Sequence, residues 1–268
     1  MMDRLEKGRA KRGQVVPEEV QCYERMDSED LILLLHSSEP KKRTIAAMLI
    51  GRRKIINAIL PLCEAIRIEK ALYPRIAISE ALGSMGEAAV KPLTSLLGKI
   101  GNNQESALPV KYFNKKSFPL PRDMAARTLI KIGRPAITQL IRVIGEGDGF
   151  EVQQALDAIG SIVNKTNDPR PLDTLLKALN DYSMNPLTTW KIVRALSGFK
   201  FREAVDPLVF LLKNHKEAAI RWEAARSLGH IEKLNADEIA VLEKALNDEN
   251  DQVRLAAKIS LKQLLLRK

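Results

Sequence analysis

Apolar residues recur along this chain at intervals of three, four and seven, the spacing that gathers them on one face of a helix. The recurrence has a fixed form. An arginine is followed by a small or apolar residue three positions later, by Leu or Ile at the seventh, and often by Gly at the eighth. RWEAARSLG over 221–229 is the clearest copy; RTIAAMLIG (43–51), RIAISEALG (75–83) and RDMAARTLI (122–130) repeat it, and weaker copies begin at Val152, Thr189 and Arg254. Successive copies start 32, 47, 30, 37, 32 and 33 residues apart. All but one of these intervals suit a repeating pair of helices.

The second helix of each pair is predicted between the copies, in amphipathic stretches over 87–100, 134–145, 170–179, 202–213 and 236–246, with Gly, Asn, Asp or Pro in the separating turns. Pro92 and Pro207 recur at matching places. A first helical turn tolerates proline, because its missing N–H would bond nothing there. Small residues such as Ala125, Ala126, Ala224 and Ala225 permit close helix approach. Neither helix buries its apolar face alone, so stacking supplies the core. The expected fold is therefore all-α, a right-handed α-α superhelix of about seven two-helix repeats.

Two stretches break the pattern. Residues 1–16 are polar and basic and read as a flexible tail before a capping helix near 17–36, which leaves 17–268 as one repeat domain. The 47-residue interval holds an insertion at about 102–121, where Tyr112, Phe113 and Phe118 alternate with Lys111, Lys115 and Lys116. Such interleaving can hold phosphates and stack bases; the aromatics can equally pin the loop to the helices.

Composition sharpens the picture in four ways. Aromatic residues make up only 4% of the chain, which favours helices packed through Ala and Leu over a sheet. Cys22 and Cys63 provide neither a disulfide framework nor metal-ligand spacing and read as buried filler in a reducing compartment. No stretch has the ~20 apolar residues of a membrane span, nor do the first 30 residues resemble a signal peptide, so a cytoplasmic location is expected. The formal charge of +10 is uneven: residues 1–135 carry 24 Lys and Arg against 15 Asp and Glu, residues 136–268 carry 19 against 18. A basic N-terminal half favours anionic partners, nucleic acid among them.

The Arg-x-x-Ala-x-x-x-Leu-Gly phrase, followed by Ala-Val-x-Pro-Leu-x-x-Leu-Leu, resembles the HEAT-like repeats named after phycobilisome lyases, over roughly residues 28–268. The resemblance implies that the phrase helices line a concave side and that each Arg joins a ladder with an Asp of the preceding turn. Asp251 precedes Arg254 in that manner, whereas the turn before Arg221 offers Glu217. Arg43, Arg75, Arg122, Arg221 and Arg254 then serve the structure between repeats.

Within each phrase helix the core takes positions three, four and seven, and positions one, five and nine share a strip expected to be exposed. Both tryptophans of the chain fall on it, each four residues before an arginine, as Trp190–Arg194 and Trp222–Arg226. Adjacent helices should bring the two aromatic–cation pairs side by side. With Arg127 and Asp157 they form the expected partner-binding strip, and Lys111, Lys115 and Lys116 the expected anion contact. The other reading of the tryptophans is packing on their own arginine stems.

Chemistry is less evident. His36, His215 and His230 share no repeat phase; His36 and His215 fall near helix ends, where a cation suits the dipole. RWEAARSLG is similar to deoxyhypusine hydroxylase repeats, but no repeat carries their iron-holding His-Glu pair. GEGDGFE (145–151) lacks phosphate-loop and calcium-loop patterns and reads as a turn. No catalytic residue, metal or cofactor is assigned. The expected function is a non-catalytic scaffold binding a protein or peptide. The alternatives are a nucleic-acid binder, in the extreme a lesion enzyme similar to the HEAT-like alkylpurine DNA glycosylases, and a chromophore lyase-like protein.

Overall fold

The computed structural model describes residues 4–100, 105–109, 123–147, 149–181, 185–199, 202–231 and 233–266. Among these, every regular element is helical. The chain forms two compact units, residues 1–102 with 122–139 and residues 103–121 with 140–268.

The first unit holds α1 (Arg4–Lys11), α2 (Pro17–Gln21), α3 (Ser28–Leu34), α4 (Pro40–Arg53), α5 (Ile59–Ile68), α6 (Leu72–Ser84), α7 (Val90–Thr94) and α8 (Met124–Ile132), and α9 (Ile137–Glu146) begins in it. The phrase helices α4, α6 and α8 pack in that order as one layer, with α5 and α7 as the second. The second unit repeats the plan with α10 (Gly149–Thr166), α11 (Leu172–Asp181), α12 (Pro186–Leu196), α13 (Val205–Asn214), α14 (Ala218–Leu228), α15 (Ala236–Lys244) and α16 (Asp251–Leu265). Here α10, α12, α14 and α16 follow one another in the phrase layer, and α11, α13 and α15 back them.

Local chemistry sets the helix starts. The Asp123, Asn185 and Asn250 side chains accept the first free N–H groups of α8, α12 and α16, and Asn235 with Glu238 closes a capping box on α15. Short 3-10 turns at 86–89 and 202–204 feed α7 and α13, so Pro92 and Pro207 fall at the third residue of their helices, as the sequence predicts.

The glycine at the eighth phrase position is where neighbouring phrase helices meet. A Cβ on Gly51 would lie 2.7 Å from the Ala81 Cα, and one on Gly229 would lie 2.9 Å from the Ser260 Cα. Ala81 and Ser260 both occupy the sixth position of the next copy. The close approach lets the Ser260 hydroxyl donate to the Ala225 carbonyl at 2.9 Å. Gly229→Ala is therefore expected to force α14 and α16 apart and cost about 1–3 kcal/mol, read as a lowered denaturant midpoint.

The phrase arginines staple consecutive repeats. Arg43 holds the Glu69 carboxylate through two bonds, at 2.7 and 3.0 Å, and the Ser37 and Ser38 carbonyls. Arg221 does the same with the Asp248 carboxylate, at 2.8 and 2.9 Å, and the His215 and Lys216 carbonyls. The next arginine donates to the backbone of the same acidic residue: Arg75 to the Glu69 carbonyl and Arg254 to the Asp248 carbonyl. The structural role expected of these arginines is thus observed for Arg43, Arg75, Arg221 and Arg254, but the acid side chains lie in the turn after the arginine and not in the turn before it. The ladder acid of the C-terminal repeats is Asp248 rather than Asp251, and the adjacent Glu249 also receives Arg221 Nη2, at 2.8 Å. Arg122 lies outside the described residues.

Three expectations are corrected. The basic N-terminal stretch is not a flexible tail from residue 4 onward: α1 is a helix, and the turn after it packs on α4 and α6. Thr44 donates to the Gly13 carbonyl at 2.7 Å, Tyr73 N–H donates to the Arg12 carbonyl, and Gly13, at φ +92°, sits against Pro40 and Pro74. The capping helix near 17–36 is two short helices, α2 and α3, separated by turns over 22–25. The stretch 87–100 is α-helical only over Val90–Thr94, since Gly98 takes φ +75° and its N–H is drawn to the Asp123 carboxylate at 2.9 Å. That carboxylate also caps α8, and it fastens the two sides of the insertion together.

Candidate functional site

Positions one and five of the phrase helices do not behave alike along the chain. Ile76 and Glu80 on α6, Arg127 on α8, and Leu255 and Ile259 on α16 are exposed, as a strip requires. On α10, α12 and α14 the same positions are shut away, Asp157 4% exposed, Trp190 2%, Arg194 2% and Trp222 5%, save Arg226, which is half-buried. The expectation of an exposed strip is corrected here. A helical wheel treats each helix alone, whereas these long side chains reach sideways onto the neighbouring helix and cover one another.

The expected aromatic–cation pairs are both present. The Arg194 guanidinium carbon lies 4.4 Å from the Trp190 ring centroid, and that of Arg226 5.6 Å from the Trp222 centroid. Each arginine also reaches an acid. Asp157, on α10, receives Arg194 Nη2 on one carboxylate oxygen and Lys191 Nζ on the other, each at 2.5 Å. On α14, Arg226 binds Glu223, through Nε at 2.9 Å and through Nη2, and its Nη2 also meets Ser197 Oγ at 3.4 Å. Three adjacent helices thereby carry a row of alternating charge, buried except at Arg226.

Burial opposes ionisation of Asp157, but Arg194 and Lys191 outweigh it and hold its carboxyl below the ordinary carboxylate range. Burial likewise opposes the Arg194 charge, and the acids Asp157, Glu223 and Glu105 more than restore it. Glu105 comes from outside the helices, in the stretch 105–109 that lies in the insertion. Its Oε2 is 3.3 Å from Lys191 Nζ and 3.6 Å from Arg194 Nη2.

Of the residues predicted from sequence, Asp157, Trp190, Arg194, Trp222 and Arg226 are thus assembled in one place, within the second unit. Arg127 belongs to the first unit and is exposed on α8. Lys111, Lys115 and Lys116, with Tyr112, Phe113 and Phe118, lie outside the described residues. The sequence reading missed Lys191, Glu223 and Glu105. The first two had a signal: they occupy the second phrase position, which is apolar in four other repeats, as Ile45, Ala77, Met124 and Ala256, and uncharged in the fifth, as Gln154. A charge at a core position marks a buried polar network. Glu105 had none, because nothing in an irregular stretch fixes which helix it meets.

Elsewhere the chemistry is structural. Among the described residues, no group of His, Cys, Asp and Glu is placed to hold a metal ion, and none of their helices is long and apolar enough to cross a membrane. The cleft lined by Leu35, His36, Arg43, Ala65 and Glu69 has its guanidinium already engaged by Glu69. Cys63 is buried, and desolvation pushes its thiol up to about 11; Cys22 is exposed, contrary to the expectation of two buried fillers. His215 is not a helix-end cation: burial lowers its pKa, and its Nδ1 accepts the Glu217 N–H at 3.0 Å.

Residues 172–262, which include α12 and α14 of this site, match the family model for HEAT repeats. This stretch is an array of HEAT repeats. The phrase that builds its helices recurs upstream at Arg43, Arg75 and Arg122. No curated protein sequence matches the chain significantly. Solved structures similar to it include a designed armadillo repeat protein in complex with the peptide (KR)4, at 17% identity and TM-score 0.45, covering 89% of this chain and 99% of that one. A complex of CpcE and CpcF of phycocyanin lyase from Nostoc sp. is similar at 19% identity and TM-score 0.34, covering 90% of this chain and 95% of that one.

Proposed function

We propose that this HEAT-repeat chain is a non-catalytic interaction scaffold, and that it holds an extended protein or peptide segment against the row formed by Asp157, Trp190, Lys191, Arg194, Trp222 and Arg226. One observation carries the reading. The cations of α12 already receive a carboxylate from a stretch of chain outside the helix stack, that of Glu105. A row whose cations receive a carboxylate from an irregular stretch in cis has the charge to receive one from a partner in trans.

The same geometry disfavours nucleic acid at this row. The guanidinium over each indole occupies the face on which a base would stack, and Asp157 and Glu223 repel a polyanion. Fluorescence anisotropy at low salt tests the proposal with labelled extended peptides of acidic, neutral and basic composition beside a single-stranded oligonucleotide. Saturable binding of a peptide is expected. Binding of the oligonucleotide alone, with the steep salt dependence of phosphate contacts, would replace the scaffold by a nucleic-acid binder.

A further inference from the structure

We infer that the face of α5 turned away from α6 is a second interaction surface, and that its occupant is an amphipathic helix of a partner protein with acidic residues beside its apolar stripe. The surface belongs to the first unit, and the inference does not depend on the row in the second.

The chain's own repeats are the first support. A 3-10 turn that ends in a buried alanine leads into α5, α9 and α13, through Ala58, Ala136 and Ala204, and each of these helices is ten residues long. Equivalent places follow directly. Two residues before the alanine, α5 has Ile56 where α9 has Arg134 and α13 has Arg202. Two residues after it, Leu60 stands where the others have Thr138 and Asp206, and at the last residue Ile68 stands where they have Glu146 and Asn214. All nine side chains are exposed, the three aliphatic ones by 55, 64 and 66%. Two repeats thus meet solvent with polar residues at every place where α5 is aliphatic. Single exposed aliphatics are ordinary, but three along one helix face mark a contact surface.

Shape and charge select the occupant. Leu60, Glu64, Arg67 and Ile68 follow one another at helical spacing and share the outer side of α5, a ridge of the kind that the i, i+4 residues of a second helix pack against. Ile68 also lines, with Leu35, His36 and Ala65, a cleft of about 370 Å³, which has room for one large apolar side chain. Lys54 precedes this face, Lys70 follows it and Arg67 lies on it; all three are exposed, and none is in an ion pair among the described residues. Glu64 is the acid on the face.

A second copy of the chain fits this face poorly, since residues 1–135 carry 24 Lys and Arg against 15 Asp and Glu, and two such halves repel. An anionic bilayer fits poorly too, because it would desolvate Glu64 between Leu60 and Ile68. A partner helix meets every demand: apolar residues for Ile56, Leu60 and Ile68, acids for Lys54, Arg67 and Lys70, and one cation for Glu64.

The test variant is Ile56→Glu with Leu60→Lys. It writes onto α5 the residues that the next repeat carries at the same places around Ala89, Glu87 and Lys91, and is therefore expected to keep the wild-type unfolding midpoint. A display library of random peptides about four helical turns long is selected on the wild-type chain and screened against the variant. Peptides that tell the two apart are expected to carry apolar residues at helical spacing and an excess of Asp and Glu. Labelled with fluorescein, they are expected to bind the variant about tenfold more weakly. Absence of any discriminating peptide, or discriminating peptides without that spacing or that excess, overturns the inference and leaves the row in the second unit standing as a site. Should the variant fail to fold, Lys54→Glu with Lys70→Glu replaces it, and unchanged affinity of the acidic peptides overturns the inference. Sedimentation velocity and flotation with vesicles of equimolar phosphatidylcholine and phosphatidylserine address the other occupants. A wild-type dimer that the variant loses would replace the partner helix by a second copy, and vesicle binding that it loses would replace it by a membrane.

Discussion

Replacing Asp157 by Ala is expected to destabilise the second unit by about 3–5 kcal/mol. The substitution removes the acid that Lys191 and Arg194 share, and both cations stay in a place where they are 1% and 2% exposed. Glu105 is the only other acid in ionic contact with either cation among the described residues, and it holds them at the longer distances. Denaturant unfolding of wild type and variant measures the loss, and a midpoint shifted by less than ~1 kcal/mol would show that the row is wet and open. A second substitution separates charge from packing. Lys191→Met in the Asp157→Ala background is expected to recover part of the stability, since it removes one of the two stranded charges while filling the same space. The sign with pH follows from the depressed Asp157 pKa: its stabilisation is present above the unfolded carboxylate value and is lost as pH falls through the folded one, a window below about 4. Glu69 and Asp248, also depressed despite partial burial because Arg43 and Arg221 hold them, lose their contributions in the same direction.

The second large effect is expected at Trp190. Its ring is 2% exposed and carries the Arg194 guanidinium at 4.4 Å, so Trp190→Ala opens a cavity beneath a buried cation. The expected cost is about 3–5 kcal/mol. Trp190→Phe, which keeps an aromatic face under the guanidinium, is expected to cost roughly half of that or less. Thermal unfolding of the pair gives the comparison. A strip exposed along its whole length, as helical spacing alone predicts, would make Trp190→Ala nearly neutral, so the result also discriminates a covered row from an open one. For the same reason, loss of partner binding in Trp190→Ala alone is not evidence of contact; the variant unfolds part of what the partner binds.

The repeat architecture was legible because it depends on local rules. Apolar spacing marks the helices and Pro92 and Pro207 mark first turns, whereas the acids that Arg43 and Arg221 hold lie in the turn ahead, not in the preceding turn that the resemblance implies. The identity of the paired residues was also legible: Trp190 with Arg194 and Trp222 with Arg226 are separated by one helical turn, and a turn is fixed geometry. Burial was not, because it depends on the side chains of neighbouring helices. Glu80 and Arg127 stand exposed at the same phrase position at which Asp157 and Arg194 are buried. The folded start of the chain escaped notice for a related reason: α1 has the composition of a solvated segment, and Gly13, Thr44 and Tyr73, distant in sequence, are what tie down the turn after it. Glu105 escaped because an irregular stretch has no period from which a partner can be read.

The row's role in binding rests on location, and the two tryptophans give location a direct readout, since Trp190 and Trp222 are the chain's only ones and both lie on it. In a nitrogen–proton correlation spectrum of the labelled chain each contributes one indole resonance. Titration of an extended peptide that binds in the anisotropy assay is expected to shift both indole signals together, with one saturation point that matches that assay. A peptide that binds while both indole resonances stay unmoved would contradict the account, and would put the binding surface of these repeats elsewhere on the chain.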